Sequence, residues 1–285
     1  MRRLPMTPQQ ILEQHPLRHA QVGTACVSYR DAGAGVTVTH VLLHGIGSAS
    51  GSWALQLHAA HGRDDLRVLA WDAPGYGDST ALPGAEPEAG AYARRLWDWL
   101  DALGATAPLT LVGHSLGAVM AARAARLQPR RVRRLVLLSP ARGYGSAPDA
   151  ERRKKLDDRL TLLASLGPKG LARERAGAML SPAARPELVD AVRETMARID
   201  PAGYTQAARL LAGADLLGDL AQVTCPIEVA SGAADAITPP AACQAVAAAA
   251  GRPWRDLGPV GHACALEAAD AVDELIGLTP DGRSA

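Results

Sequence analysis

The chain has 285 residues, 48% of them hydrophobic and 21% charged, with a formal net charge of +1 at pH 7. That balance suits a globular protein with a sizeable core in one or two domains, and it offers no basic surplus for nucleic acid or an acidic surface. Phenylalanine is absent and aromatic residues make up only 4%, so Leu, Val and Ala must build the core around five Trp and five Tyr.

In chain order, Met1-Arg2-Arg3 opens a basic segment that lacks the apolar stretch of a secretory signal. A strand is predicted over residues 22–29, closed by a turn at Asp31-Ala32-Gly33. A second strand, 38–43, ends in His44-Gly45 and leads to a helix over 52–61. A third, 66–71, ends at Asp72, followed by a tight multi-turn segment to Ser79 and a helix over 88–103. The strand at 109–112 runs into Gly113-His114-Ser115-Leu116-Gly117 and a helix over 116–128. A fifth strand, 134–138, ends in Ser139-Pro140. Late strands at 227–230 and 254–257 precede helices at 239–250 and 263–276. Short apolar strands alternating with helices predict an α/β architecture, a mainly parallel sheet covered on both faces.

One interval breaks the alternation. Residues 141–219 show no strand, only helical segments at 150–166, 169–179, 186–199 and 204–212, separated by Gly167-Pro168, Ser181-Pro182 and Asp200-Pro201. The expected organisation is a core of residues 1–140 and 220–285 with a helical lid, 141–219, inserted between two strands; the tail from 279 is expected to fray. The basic runs at 130–134 and 152–155 read as solvated faces. No run of about 18 apolar residues exists to cross a membrane. Cys26, Cys225, Cys243 and Cys264 show neither paired nor zinc-like spacing. A cytoplasmic protein with reduced thiols and no metal is the expectation.

The residues able to do chemistry follow strands. A serine hydroxyl is a poor nucleophile unless a base lies within hydrogen-bond reach. Ser115, between two glycines at a strand-to-helix turn, is placed to be presented to such a base. The bland alternative is a helix N-cap. His262, in the turn after the last strand, is the candidate base. Asp235, in the loop after residues 227–230, is the candidate carboxylate, though its spacing also suits a turn or cap. Strand ends of a parallel sheet gather on one edge, where ligands bind. The order Ser, Asp, His is the one expected of a hydrolase architecture. The N–H of Leu116 is aimed as one donor to an oxyanion, and the loop His44-Gly45-Ile46-Gly47 should supply another. His44 and His114 are read as packing residues, and 72–79 as a brace for the same edge. Nucleotide-binding glycine motifs are absent.

Together, Val41-Leu42-Leu43-His44-Gly45, the segment Trp71 to Ser79, Gly113 to Gly117, Gly232-Ala233-Ala234-Asp235 and Gly261-His262 with Glu267 resemble the α/β-hydrolase superfamily with a cap domain. The resemblance implies Ser115 as nucleophile, Asp235 as acid, His262 as base, and the N–H groups of Ile46 and Leu116 as oxyanion hole, with Trp53 packed behind it. It also implies no cofactor and a small acyl substrate. Haloalkane dehalogenases and epoxide hydrolases use Asp where Ser115 stands. An esterase or enol-lactonase is favoured. A carbon–carbon bond hydrolase, an acyltransferase, a perhydrolase and a non-catalytic ligand-binding protein remain open, as does the oligomeric state. The lid should choose the substrate: an apolar funnel would suit hydrophobic esters, and an arginine facing the pocket would suit carboxylate-bearing substrates.

Overall fold

A computed structural model describes residues 6–279; the basic segment before Met6 and the tail beyond Thr279 lie outside the described residues. Its strands are β1 (Arg18–Val22), β2 (Ala25–Ala32), β3 (His40–Leu43), β4 (Val68–Trp71), β5 (Leu109–His114), β6 (Val132–Leu138), β7 (Ile227–Ser231) and β8 (Trp254–Asp256). They form one sheet in the order β1-β2-β4-β3-β5-β6-β7-β8. From β4 to β8 every pairing is parallel, while β1–β2 and β2–β4 are antiparallel.

The start of the sheet differs from the single strand expected over residues 22–29. Gly23 takes φ +60°, a left-handed conformation that glycine adopts at little cost, and the chain folds there into a hairpin pairing Val22 with Ala25. β1 gave no apolar signal because it is an edge strand whose Arg18, His19 and Gln21 face solvent.

β3 sits between β4 and β5, so the chain leaves β3 to one side and returns from β4 to the other. A parallel sheet opens a crevice at such a switch point, outside the carboxyl ends of the strands. β3, β4 and most of β5 are buried on both faces, which is why they read as continuous apolar runs. Alternate residues serve opposite cores. Val41, Leu43, Leu111, Leu135 and Leu137 join one core, and Leu42, Val112 and Val136 the other. Burying each such Leu contributes about 1.5–3 kcal/mol. Trp99 packs against Tyr29 (5.3 Å) and Trp71 (6.2 Å), supplying bulk where phenylalanine is missing.

The helices are α1 (Pro8–Gln14), α2 (Ala54–Ala60), α3 (Ala89–Ala102), α4 (Leu116–Leu127), α5 (Asp149–Arg175), α6 (Pro186–Met196), α7 (Pro201–Gly213), α8 (Leu216–Leu220), α9 (Pro240–Ala249), α10 (Cys264–Glu267) and α11 (Ala269–Ile276). Between β6 and β7 only helices occur, α5 to α8 with a short 3-10 turn. The expected break at Gly167-Pro168 is a kink within α5, where Gly167 takes φ 62° and ψ 175°. α1 and α8 were not foreseen. α1 is capped by Thr7 and Gln10 and buries only Pro8 and Ile11. Asp219 of α8 is buried and ion-paired with Arg123 (2.7 Å) and Arg126 (2.9 Å) of α4.

The basic run 130–134 is not simply a solvated face. The Arg131 guanidinium stacks on Trp97 at 4.6 Å and bonds Asp101, and Arg134 bonds Glu228 and the Ile276 carbonyl. Among the described residues no helix is long and apolar enough to cross a membrane.

Asp273 of α11 is buried, with Gln56 Nε2 donating to its Oδ1 at 3.1 Å. Burial, with the nearby Asp270, pushes its pKa up to about 7. A carboxyl with a raised folded-state pKa binds its proton more tightly when folded. Its contribution is therefore present below the unfolded value of about 4 and is lost as pH rises toward 7. Asp273→Asn keeps the acceptor for Gln56 and removes the titration. It is expected to exceed wild type in stability by about 1–3 kcal/mol at pH 8, the gap closing toward pH 5. Urea unfolding at the two pH values checks this; an unchanged gap would overturn it.

Candidate active site

At the end of β5 the chain turns sharply into α4, and Ser115 occupies the turn with φ 52° and ψ −115°. Among the described residues only Ser115 and Ser139 are non-glycine residues at positive φ. Such strain persists only where the surroundings fix it. They do so here through close approach. A Cβ on Gly113 would lie 2.5 Å from the Gly117 carbonyl oxygen, and one on Gly117 would lie 2.2 Å from that of Leu43. Both positions therefore require glycine. Ser115 N donates to Leu138 O (3.0 Å), and Ala141 N donates to Ser115 O (3.1 Å).

His262 lies in the loop after β8, and Asp235 in the loop after β7. The imidazole Nδ1 is 3.0 Å from Asp235 Oδ2 and 3.2 Å from Oδ1, with both residues buried. The other expectation for Asp235, an ordinary turn aspartate, holds at the same time: Oδ1 accepts from the N–H groups of Ile237 and Thr238, both at 2.9 Å. Burial alone would raise the Asp235 pKa. The hydrogen bond and charge of His262, with the Thr238 N–H, hold it well below the usual carboxylate range.

Thr238 was missed by sequence reasoning. Its Oγ1 lies 2.9 Å from Asp235 Oδ2, 3.1 Å from Ser139 O and 3.2 Å from His262 Nδ1. A threonine three residues after the aspartate was the only signal available. Glu267, quoted only as part of a resemblance, also has a definite place. Its Oε2 accepts from Gly261 N (2.8 Å) and Ser181 N (2.9 Å), and its Oε1 from Ser181 Oγ (2.6 Å). It thus ties the His262 loop to the segment between α5 and α6.

His44 and His114 are neutral packing groups. The Ala73 N–H donates to His44 Nε2 (3.0 Å), so the His44 proton sits on Nδ1 and is donated to Gly45 O (2.8 Å). His114 Nε2 donates to His262 O (2.8 Å), and burial pushes the His114 pKa down to about 3. Asp72 braces the neighbouring loops, accepting from Ser50 N and Ser28 Oγ, both at 2.7 Å. Cys264 is a buried thiol whose pKa burial pushes up to about 12, against Ser139 Oγ at 3.8 Å, which leaves it inert.

Ser115 and His262 line one cavity of about 680 Å³ together with Ile46 and Thr238. No hydrogen bond joins Ser115 to the His262 ring; free enzymes often hold such pairs apart until substrate binds. Leu116 opens α4, so its N–H is one of the helix's unpaired donors. Trp53 is fully buried behind the loop that carries Ile46, its ring 6.4 Å from His114. Apolar side chains of the helical segment, including Leu162, Leu171, Met196 and Leu211, complete the cavity wall.

The profile of a family described as "Alpha/beta hydrolase family" matches residues 41–275. The chain is 31% identical over 205 residues to a pimeloyl-[acyl-carrier protein] methyl ester esterase of Chromobacterium violaceum, covering 70% of this chain and 76% of that protein. Among solved structures it resembles a hydrolase from Pseudomonas aeruginosa PA01, with TM-score 0.77 and 27% identity over 92% of this chain and 98% of the other. A thermophilic esterase from Thermogutta terrifontis shares the fold with TM-score 0.79 at 24% identity, covering 92% and 97%.

The hydrogen bonds to Glu267 are charge-assisted and partly buried. Glu267→Ala is expected to cost about 2 kcal/mol of stability and to speed hydrogen exchange at the Gly261 and Ser181 amides. Denaturant unfolding with exchange mass spectrometry tests this, and unchanged exchange at both amides would refute it.

Proposed function

The chain belongs to the alpha/beta hydrolase family and is a hydrolase of that type, and we propose that it cleaves a carboxylic ester, lactone or related acyl compound through Ser115, His262 and Asp235. The observation that carries this reading is the buried Asp235–His262 pair at 3.0 Å facing the same cavity as Ser115 on its strained turn.

Because Asp235 accepts a hydrogen bond from the Nδ1–H of His262, Nε2 is left as the acceptor. His262 removes the Ser115 hydroxyl proton as Oγ attacks the acyl carbonyl. The negative charge on the carbonyl oxygen is received by the N–H groups of Ile46 and Leu116. His262 then gives its proton to the departing oxygen, leaving an acyl-serine. Water, deprotonated by the same imidazole, attacks that ester and regenerates Ser115. Every proton moves between Ser115, His262, the leaving group and water, so the chemistry calls for no cofactor. Asp235, kept ionised by its neighbours, stabilises the imidazolium formed in both halves.

In this reading residues 141–219 are the lid and residues 1–140 and 220–285 the core. The relative named a methyl ester esterase supports ester cleavage. Four unpaired thiols support a reducing, cytoplasmic location.

A fluorophosphonate is expected to label Ser115 and no other residue, with hydrolysis of a short-chain 4-nitrophenyl ester. Ser115→Ala should abolish both while retaining the wild-type melting temperature. Asp235→Asn should lower kcat by about 10⁴-fold, because Asn stabilises the wrong tautomer. Labelling at another site, or wild-type turnover by Asp235→Asn, would overturn the assignment.

A further inference from the structure

The wall of the Ser115 cavity opposite the sheet is charged. α5 contributes Glu151, Lys155, Asp158, Arg159 and Leu162 to it, a spacing that places them along one helix face. Arg175 near the end of α5 and Arg142 after β6 add two more cations. Asp158 is already engaged by Lys154 at 2.7 Å, and Glu151 is exposed at the mouth.

Arg159 differs from the other three cations. Arg142, Lys155 and Arg175 are exposed, whereas Arg159 is half-buried. Among the described residues its guanidinium makes no side-chain hydrogen bond or ion pair with the protein, unlike Arg67, Arg123, Arg126, Arg131 and Arg134, which all do. Burial raises the pKa of the Tyr76 hydroxyl, and Arg159 is near enough to pull it the other way. Tyr76 in turn packs on His44 at 4.9 Å, beneath the loop that carries Ile46. A half-buried guanidinium that no carboxylate of the described residues engages can receive an anion, and its planar fork suits a carboxylate. Apolar side chains stand around it: Leu162 on its own helix, Leu171 beyond the kink, and Met196 and Tyr204 across the cavity. These suit a short hydrocarbon spacer.

Resting on the serine-hydrolase reading, we propose that the substrate is an acyl compound bearing a free carboxylate distal to the scissile carbonyl, and that Arg159 binds this carboxylate. The monoester of a dicarboxylic acid, or a lactone with a carboxylate arm, fits this description. The exposed Arg142, Lys155 and Arg175 give the entrance a positive potential that draws such anions in.

Methyl hydrogen adipate and dimethyl adipate differ in one charge at nearly equal length. Wild type is expected to show kcat/KM about ten-fold or more in favour of the monoester, the preference falling as salt rises. Arg159→Gln should collapse that ratio by about ten-fold or more, chiefly through the monoester's KM, and Arg159→Lys should restore part of it. Calorimetric binding to Ser115→Ala separates recognition from chemistry: the monoester should bind more tightly than the diester, and adding Arg159→Gln should erase the difference. Equal affinity for both esters, or a selectivity ratio unmoved in Arg159→Gln, would overturn the proposal. Absence of turnover with both esters, with the binding difference intact, would count against the serine-hydrolase reading and still support carboxylate recognition.

Discussion

A left-handed backbone at a residue with a side chain costs about 1–3 kcal/mol, and at Ser115 that cost is sustained by crowding. β5, α4 and β3 converge where Gly113 meets the backbone of Gly117, and Gly117 meets the carbonyl of Leu43. Only hydrogen fits at either point. The helix can therefore begin directly over the β3–β5 pair, and the residue between must project its side chain out of the sheet. The rest of the site depends on this approach. It puts the free N–H groups of a helix terminus beside the serine, and it brings the loop after β3 alongside.

Immobilising the histidine is a separate problem, met by several groups at once. Asp235 holds the ring, the His114 N–H holds the carbonyl, the Met179 carbonyl accepts from the next residue's N–H at 2.7 Å, and Glu267 holds Gly261. The two histidine rings lie 4.7 Å apart. Two cations at that distance would repel strongly in a buried site. A His114 with a pKa near 3 stays neutral, so it supports its neighbour without competing for the proton.

The sheet and the placement of Ser115 and Asp235 were readable because β3 to β7 are short runs buried largely on both faces, whereas His262 follows β8, a three-residue strand that is mostly exposed. β1 and α1 were unreadable for the opposite reason: one is a polar edge, the other buries a single apolar side chain beyond its proline. Thr238 and Glu267 act through hydrogen bonds that exist only once separate loops have met. No periodicity announces such contacts. Arg159 sits on a helix that is polar on most of its surface, and its orientation gained meaning only when the opposite wall of the cavity was known to contain Ser115.

The bond from His114 Nε2 to the His262 carbonyl joins residues 148 apart, and Asp235 enters from a third part of the chain. Contacts of such sequence separation form late, because loop closure must precede them. A chain that has folded only through β6 would already contain the turn at Ser115 and yet lack both the carboxylate and the imidazole. In the serine-hydrolase reading, the serine is thus chemically silent through synthesis and early folding, and becomes reactive only after the segment from β7 onward has docked.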